Sequence, residues 1–358
     1  MSDQIIIQSE NIQEALTDAV SATNHDRLFL LADENVERDV FPLISGFLNE
    51  YNPVRIIIHS GEEHKNLSTL SIVWEALAAE GASRASLLIN LGGGVITDLG
   101  GFAAACFKRG IKFINLPTTL LAAVDAAVGG KTGVDFNGLK NEIGAFAPAD
   151  KVILSTAPFA TLPDFQISSG FAEIVKMAMI ASKEEYKNIL LNLDKTDCDL
   201  RNPAFPMSRL LSFSVMEKAR IVKEDPRESG LRKILNFGHT CGHAFETLLL
   251  RRDTPIPHGR AVAHGILVAL ILSHIRLRMD SLLIHEYRNH ILAPLFGHLP
   301  IKCDDTDALL ELMMHDKKNS DGKITFILLN SIGKPVISPS TPISDIHAAL
   351  DIYIDMMS

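Results

Sequence analysis

Five short apolar runs, spaced along the first half of the chain, constrain its fold more than any other feature. RLFLLAD (27–33), VRIIIHS (54–60), SLLINLG (86–92), KFINLP (112–117) and KVILS (151–155) are apolar at almost every position rather than at every second one. That pattern belongs to strands buried on both faces of a parallel sheet. Parallel strands need crossovers, and the intervening segments supply them: STLSIVWEALAAEG (68–81) has helical periodicity and stops on a glycine. Strands alternating with helices predict an α/β layered domain.

After about residue 160 the periodicity changes. SGFAEIVKMAMIAS, MSRLLSFSVMEKARIVKE, TCGHAFETLLL and GRAVAHGILVALILSHIRLRM are helical patterns, and only KITFILLN (323–330) reads as a strand. The sequence therefore predicts a boundary near Pro158, with an α/β domain over 1–158 and a mostly helical domain over 159–358. A chain of 358 residues is long enough for two such cores. A net charge of −9 argues against nonspecific nucleic-acid binding. The four cysteines, Cys106, Cys198, Cys241 and Cys303, form no CxxC and read as reduced cytosolic thiols. MSDQIIIQSE has neither a basic n-region nor an apolar h-region, so no signal peptide is expected, and the apolar run 261–272 reads as a buried helix too short to span a bilayer.

Several motifs carry chemistry. NFGHTCGH (236–243) places His239 and His243 one helical turn apart on one face, a spacing that suits two ligands of one divalent cation. The glutamate that a metalloprotease needs after the first histidine is here Thr240, so peptide hydrolysis is not indicated. Two helix histidines without a ligand would show the same spacing. GGGVITDLGGFAAACF (92–107) follows a predicted strand and opens a helix, an arrangement that suits a nucleotide pyrophosphate. It departs from the standard dinucleotide fingerprint at Thr97, and a plain glycine-rich turn remains open. Asp98 lies in that helix, as a cofactor contact or as a first-turn acid favoured by the helix dipole. Glu62 and Lys65 in GEEHKN (61–66), and Asp33, lie at strand carboxyl ends, where ligands of open α/β sheets bind, although taken alone they read as solvated loop residues. Asp125, Lys131, Lys140 and Asn141 lie among small residues in LPTTLLAAVDAAVGGKTGVDFNGLKNEIGAF (116–146), as an oxyanion site or a polar surface loop would have them. GFAEIVK (170–176) sets Glu173 and Lys176 on one helix face, as a carboxylate ligand or an ion pair. Lys218 and Arg232 bracket a turn around Pro226 and Gly230; His258 precedes a long helix, and Lys317 lies in HDKKN.

Taken together, GGGVITDLGG, PTTLLAAVDAAVGGKTG, LKNEIGAF, GFAEIVK, NFGHTCGH and PHGRAVAHG resemble the 3-dehydroquinate synthase family, in its order and with closely similar spacing. The resemblance runs from Asp33 to about Gly333. It implies a Rossmann-like N-terminal domain, a helical C-terminal domain, and conversion of 3-deoxy-D-arabino-heptulosonate 7-phosphate to 3-dehydroquinate and phosphate in the shikimate pathway. It implies catalytic NAD+ and a divalent metal, usually zinc, with cobalt the other candidate. The ligands it implies are Glu173, His239 and His258, with His243 a proton-handling residue beside the metal rather than the second ligand that spacing suggests. NAD+ contacts would come from Asp33, Glu62, Lys65, Gly93, Gly94, Asp98, Thr118, Thr119, Lys140 and Thr161. Substrate and catalytic contacts would come from Asp125, Lys131, Asn141, Lys176, Lys218, Arg232, Asn236 and Lys317. Arg109 would reach the phosphate from the partner subunit of a cytoplasmic homodimer.

The chain departs from the family pattern at Thr97, Ala126, Ala127, Pro226 and Arg260, none of them a named ligand. Two other enzyme readings remain: a sugar-phosphate cyclase whose substrate lacks the carboxylate, and a metal-dependent polyol dehydrogenase. Lys218 with Arg232 argues against the first, and the phosphate-directed Lys131, Lys140, Asn141 and Arg109 against the second. A regulatory NAD-binding module is the non-enzymatic alternative.

Overall fold

The structure, a computed structural model, describes residues 4–314 and 324–358. The chain forms two compact units: Met1–Pro163 with Leu211–Ala219, and Asp164–Leu210 with Arg220–Ser358.

The first unit runs β1 (Ile5–Gln8), α1 (Ile12–Ser21), β2 (Leu28–Asp33), α2 (Glu34–Asp39), α3 (Ser45–Tyr51), β3 (Val54–Ile58), α4 (Leu67–Ala79), β4 (Leu87–Gly92), α5 (Gly94–Cys106), β5 (Lys112–Pro117), β6 (Lys131–Phe136), β7 (Leu139–Phe146) and β8 (Lys151–Leu154). All five predicted strands are present and pair in parallel, in the order β1-β8-β5-β4-β2-β3. Their burial explains their composition. Every residue of β4 is buried, and β2 is buried up to Asp33, so neither face tolerates a polar alternation. The order reverses between β2 and β4, since β3 lies outside β2 while β5 lies beyond β4. A crevice at the carboxyl ends of strands beside such a reversal is where open α/β sheets bind ligands. Those ends are Asp33 and Gly92.

Two pairings in this unit were not expected. Edge strand β1 adds Ile5–Gln8 beside β8, and the segment read as an oxyanion or surface loop is the antiparallel hairpin β6–β7. Helix α5 lies close to β4 and to β6 of the hairpin. A methyl group on Gly100 would stand 2.1 Å from Asn90 Oδ1 of β4, and one on Gly101 would stand 2.5 Å from Thr132 Cγ2 of β6. The glycine pair after Asp98 thus serves the packing of α5.

The second unit is helical: α6 (Asp164–Ala181), α7 (Lys183–Lys195), α8 (Met207–Glu224, whose middle belongs to the first unit), α9 (His239–Leu250), α10 (His258–Leu277), α11 (Leu282–Tyr287), α12 (Ala293–Phe296), α13 (Thr306–Met314) and α14 (Ile343–Met357). The one strand expected here, 323–330, is seen as β9 (Phe326–Ser331), and it pairs with an unforeseen β10 (Lys334–Ser338). Helix α10 spans 20 residues and is apolar enough to cross a membrane, but 72% of its most apolar stretch is buried as core. The expectation that this run is too short to span is corrected in length; its burial agrees with that reading.

Candidate active site

In the first unit, α5 starts where β4 ends. Gly93 is its N-cap, and the first backbone N–H groups of the helix have no partner within it. A side chain at Gly93 would press within 3.3 Å of Thr119 Cγ2, so the turn is kept bare beside the Thr118–Thr119 segment. Thr118 N–H donates to Gly92 O at 2.9 Å, and Thr119 Oγ1 accepts from Ala122 N–H at 3.1 Å. Asp33 caps α2 through Val36 N–H at 2.9 Å, and burial raises its carboxyl pKa against the pull of that bond. Thr161 Oγ1 donates to Pro158 O at 3.1 Å. The nucleotide-fitting features are thus a bare glycine turn, a helix N-terminus and two strand ends at the order reversal.

Lys65 is the hub of the polar cluster beside them. It is 4% exposed, and its Nζ donates to Asp98 Oδ2 at 2.6 Å and to Asn141 Oδ1 at 2.7 Å. Burial disfavours the ammonium, yet Asp98, Glu62 and Asp135 outweigh it and raise the Lys65 pKa. Asp98 is raised to about 6, chiefly by burial, with Lys65 opposing. Asp125 lies in a π-turn, Ala122–Ala126, and pairs with Lys218, whose Nζ also donates to Asp125 O at 2.6 Å. Lys131 opens β6, and Lys140 and Asn141 lie on β7. Arg109 sits at φ 68 between Lys108 at φ 48 and Gly110 at φ 115, a left-handed run uncommon for two consecutive side-chain-bearing residues.

The second unit brings three helices together. Glycines allow it: a methyl group on Gly259 of α10 would stand 1.9 Å from Ser169 O of α6, and one on Gly265 would stand 2.0 Å from Gly238 O, just before α9. The convergence gathers Glu173 of α6, His239 and His243 of α9, and His258 of α10. Glu173 is 3% exposed; its Oε2 pairs with buried Lys176. Its Oε1 is buried, accepts no hydrogen bond, and lies 3.7 Å from His239 Nε2 and 3.9 Å from His258 Nε2. Donors about 2.0–2.2 Å from a tetrahedral zinc stand roughly 3.3–3.6 Å apart, so each of these two separations from Glu173 Oε1 needs to close by only tenths of an ångström. The other ring nitrogens are engaged: His239 Nδ1 with Phe237 O at 3.2 Å, and His258 Nδ1 with Glu246 Oε2 at 3.1 Å. Such partners fix the tautomer and turn Nε2 towards a cation. His239, His243 and His258 also offer ring nitrogens within 4.8 Å of one another, so His243 borders the same centre.

Reading by sequence missed Glu246, Asp225 and Glu228. Asp225 Oδ2 accepts from Gly230 N–H at 2.7 Å and Arg232 N–H at 3.0 Å, while Oδ1 accepts from Ser229 N–H at 2.9 Å. These bonds, above all that from Gly230, lower its pKa to about 2 and shape the loop that carries buried Arg232. An aspartate before a Pro and Gly-bearing loop was the available signal. Glu228 Oε1 accepts from Asn236 Nδ2 at 2.7 Å. Arg260, a departure from the family pattern, donates through Nε to Phe296 O at 2.9 Å and through Nη2 to His298 O at 2.8 Å, satisfying carbonyls at the end of α12. Lys317 lies outside the described residues.

An NAD-fitting parallel sheet with a separate His- and Glu-lined helical unit defines a class of enzymes, and the comparisons with known proteins fall within it. The 3-dehydroquinate synthase N-terminal profile matches residues 55–169 and the C-terminal profile residues 170–319. The chain belongs to the 3-dehydroquinate synthase family. It is 44% identical to a 3-dehydroquinate synthase of Parabacteroides distasonis over 99% of this chain and 98% of that one. It is 36% identical to one from Pseudomonas fluorescens over 90% of this chain and 86% of the other. Among solved structures, a 2-deoxy-scyllo-inosose synthase complexed with carbaglucose-6-phosphate, NAD+ and Co2+ superposes with a TM-score of 0.82 at 26% identity, covering 96% of this chain and 95% of that one. A 2-epi-5-epi-valiolone synthase from Streptomyces hygroscopicus, with NAD+ and Zn2+ bound, shares the fold at a TM-score of 0.85 and 24% identity, covering 99% and 98%.

Proposed function

We infer that the chain catalyses the reaction of its family, turning 3-deoxy-D-arabino-heptulosonate 7-phosphate into 3-dehydroquinate and phosphate within the shikimate pathway. The observation that carries this is identity of 44% over essentially the full length of a 3-dehydroquinate synthase, against 26% to a related cyclase. The reaction is a carbon–oxygen lyase sequence of oxidation, phosphate elimination, reduction, ring opening and aldol closure, in which NAD+ supplies a reusable hydride acceptor and a divalent cation, zinc or cobalt, the acidity of the substrate hydroxyls.

The roles of the residues are our proposal. Glu173, His239 and His258 hold the cation, supported by the buried, unsatisfied Glu173 Oε1 facing both imidazoles. His243 handles the proton at that centre. Asp33, Glu62, Lys65, Gly93, Gly94, Asp98, Thr118, Thr119, Lys140 and Thr161 bind NAD+, with the bare Gly93 turn receiving the pyrophosphate. Lys131, Asn141 and Arg109 take the departing phosphate, and Lys218 and Arg232 the carboxylate. Asp125 orients Lys218, with which it pairs, and Lys176 orients the Glu173 carboxylate by pairing with its Oε2. Asn236 and Lys317 complete the substrate contacts. A homodimer in which Arg109 serves the partner's site, and a cytoplasmic location consistent with four unpaired cysteines, belong to the same reading.

The deciding experiment follows phosphate release from this substrate with trace NAD+, with and without a chelator. Chelator-sensitive release far beyond the NAD+ present, without NADH accumulation, is the expected result. Stoichiometric NADH from a polyol, or no release, would overturn it.

A further inference from the structure

Opposite Asp135, strand β7 carries three residues where β6 carries one. Val134 pairs with Ile143 and Phe136 with Leu139, so Asp135 alone faces Lys140, Asn141 and Glu142. Extra residues of this kind bend a strand and re-aim side chains, and they recur beside active sites. Here they present the two hairpin residues to which the proposed function gives ligands, Lys140 for NAD+ and Asn141 for phosphate. Asn141 sits at φ 50, in the left-handed region, and so needs its neighbours to hold it there.

Asp135 does so from two directions. Its Oδ1 accepts the backbone N–H of Asn141 at 2.7 Å, and its own N–H donates to Lys65 O at 2.8 Å. Lys65 completes the ring through its side chain, with Nζ donating to Asn141 Oδ1 at 2.7 Å and to Asp98 Oδ2 at 2.6 Å. Asp135, Asn141 and Lys65 therefore form a closed hydrogen-bonded circuit, joined to α5 through Asp98. Two of its members are side chains expected to touch ligands; the third, Asp135, has had no role.

We propose that Asp135 is a positioning residue, whose carboxylate holds the bulge so that Lys140 and Asn141 are presented together to cofactor and substrate. The proposal rests on the functional reading above. Its negative charge adds to those that keep Lys65 protonated.

The test uses the full-length, metal-loaded chain with Asp135→Ala and Asp135→Asn. One lost hydrogen bond is worth up to about tenfold. Asp135→Ala is expected to raise the substrate KM and the NAD+ Kd by about that factor, with kcat within about threefold of the parent. Asp135→Asn retains an acceptor oxygen and is expected to restore both to within about threefold. A lowered Tm with KM and Kd unmoved would reveal a purely structural role and overturn the proposal. In the unaltered protein the Asn141 amide should exchange with solvent at least about tenfold more slowly than an unstructured amide, although the residue is exposed. A fully exchanging Asn141 amide overturns it, even if the alanine variant does not fold. Should the parent bind NAD+ but release no phosphate, the functional reading fails, while NAD+ affinity and the Asn141 amide still decide the role of Asp135.

Discussion

Glu173 Oε1 is a buried acceptor with no donor, and leaving such an atom unmet costs about 1–3 kcal/mol. A cation shared with His239 and His258 would remove that cost. Replacing either Glu173 by Gln or His239 by Ala should weaken zinc binding by more than about 100-fold, beyond what outer-shell changes cause. His243→Ala should keep the metal while turnover falls roughly 10²–10⁴-fold, the span of a lost acid–base group. Metal content and phosphate release measured on the same samples separate the two; loss of metal from His243→Ala would make His243 a ligand. Spacing made the His239–His243 pair legible, because both lie on one helical turn. It could not show Glu173 or His258, which reach the centre from other helices. The reach depends on Gly259 and Gly265, whose missing side chains let α10 lie against α6 and the start of α9.

Among the elements, α5 depends on Gly100. Gly→Ala inside a helix ordinarily gains about 1 kcal/mol. At Gly100 the added methyl would stand 2.1 Å from Asn90 Oδ1, and Asn90 is itself bonded to Asn115 Oδ1 at 2.9 Å. Overpacking wins, and Gly100→Ala should lose about 1–3 kcal/mol in urea unfolding. Helix α10 carries a second dependence. His264 is fully buried, its Nδ1 lies 2.9 Å from Tyr353 Oη, and burial, then the charges of Arg260 and His298, lower its pKa to about 3. The folded chain keeps it neutral while the unfolded chain protonates near 6.5, so its contribution is complete above about pH 6.5 and declines as pH falls towards 3. The slope is about 1.4 kcal/mol per pH unit; it should be absent from the His264→Gln curve and so appear in the difference between the parent and variant unfolding free energies. The central strands were legible because double-sided burial leaves a continuous apolar run. Hairpin β6–β7 was not: β7 (LKNEIGAF) is exposed along most of its length, and its bulge breaks the alternation that would have marked it. β1 was missed because it is a four-residue edge strand without full burial.

For the whole molecule, the proposed exchange of Arg109 between subunits has a numerical signature. Arg109→Ala and His243→Ala homodimers should each be nearly inactive. Randomly reassorted, half the dimers are mixed, and each mixed dimer has one intact site, so about a quarter of parental activity should return. No recovery on mixing would place Arg109 in its own subunit's site or deny the dimer.

The first unit draws Leu211–Ala219 from far along the chain, and with it Lys218, the partner of Asp125. A ribosome that has polymerised Pro163 must therefore add 56 more residues, 219 less 163, before that unit's last piece exists. At about 5–20 residues per second, the wait is roughly 3–11 s, with passage through the exit tunnel still to come. During that interval Asp125 lacks its pairing with Lys218, and the nascent sheet must remain soluble without that helical segment.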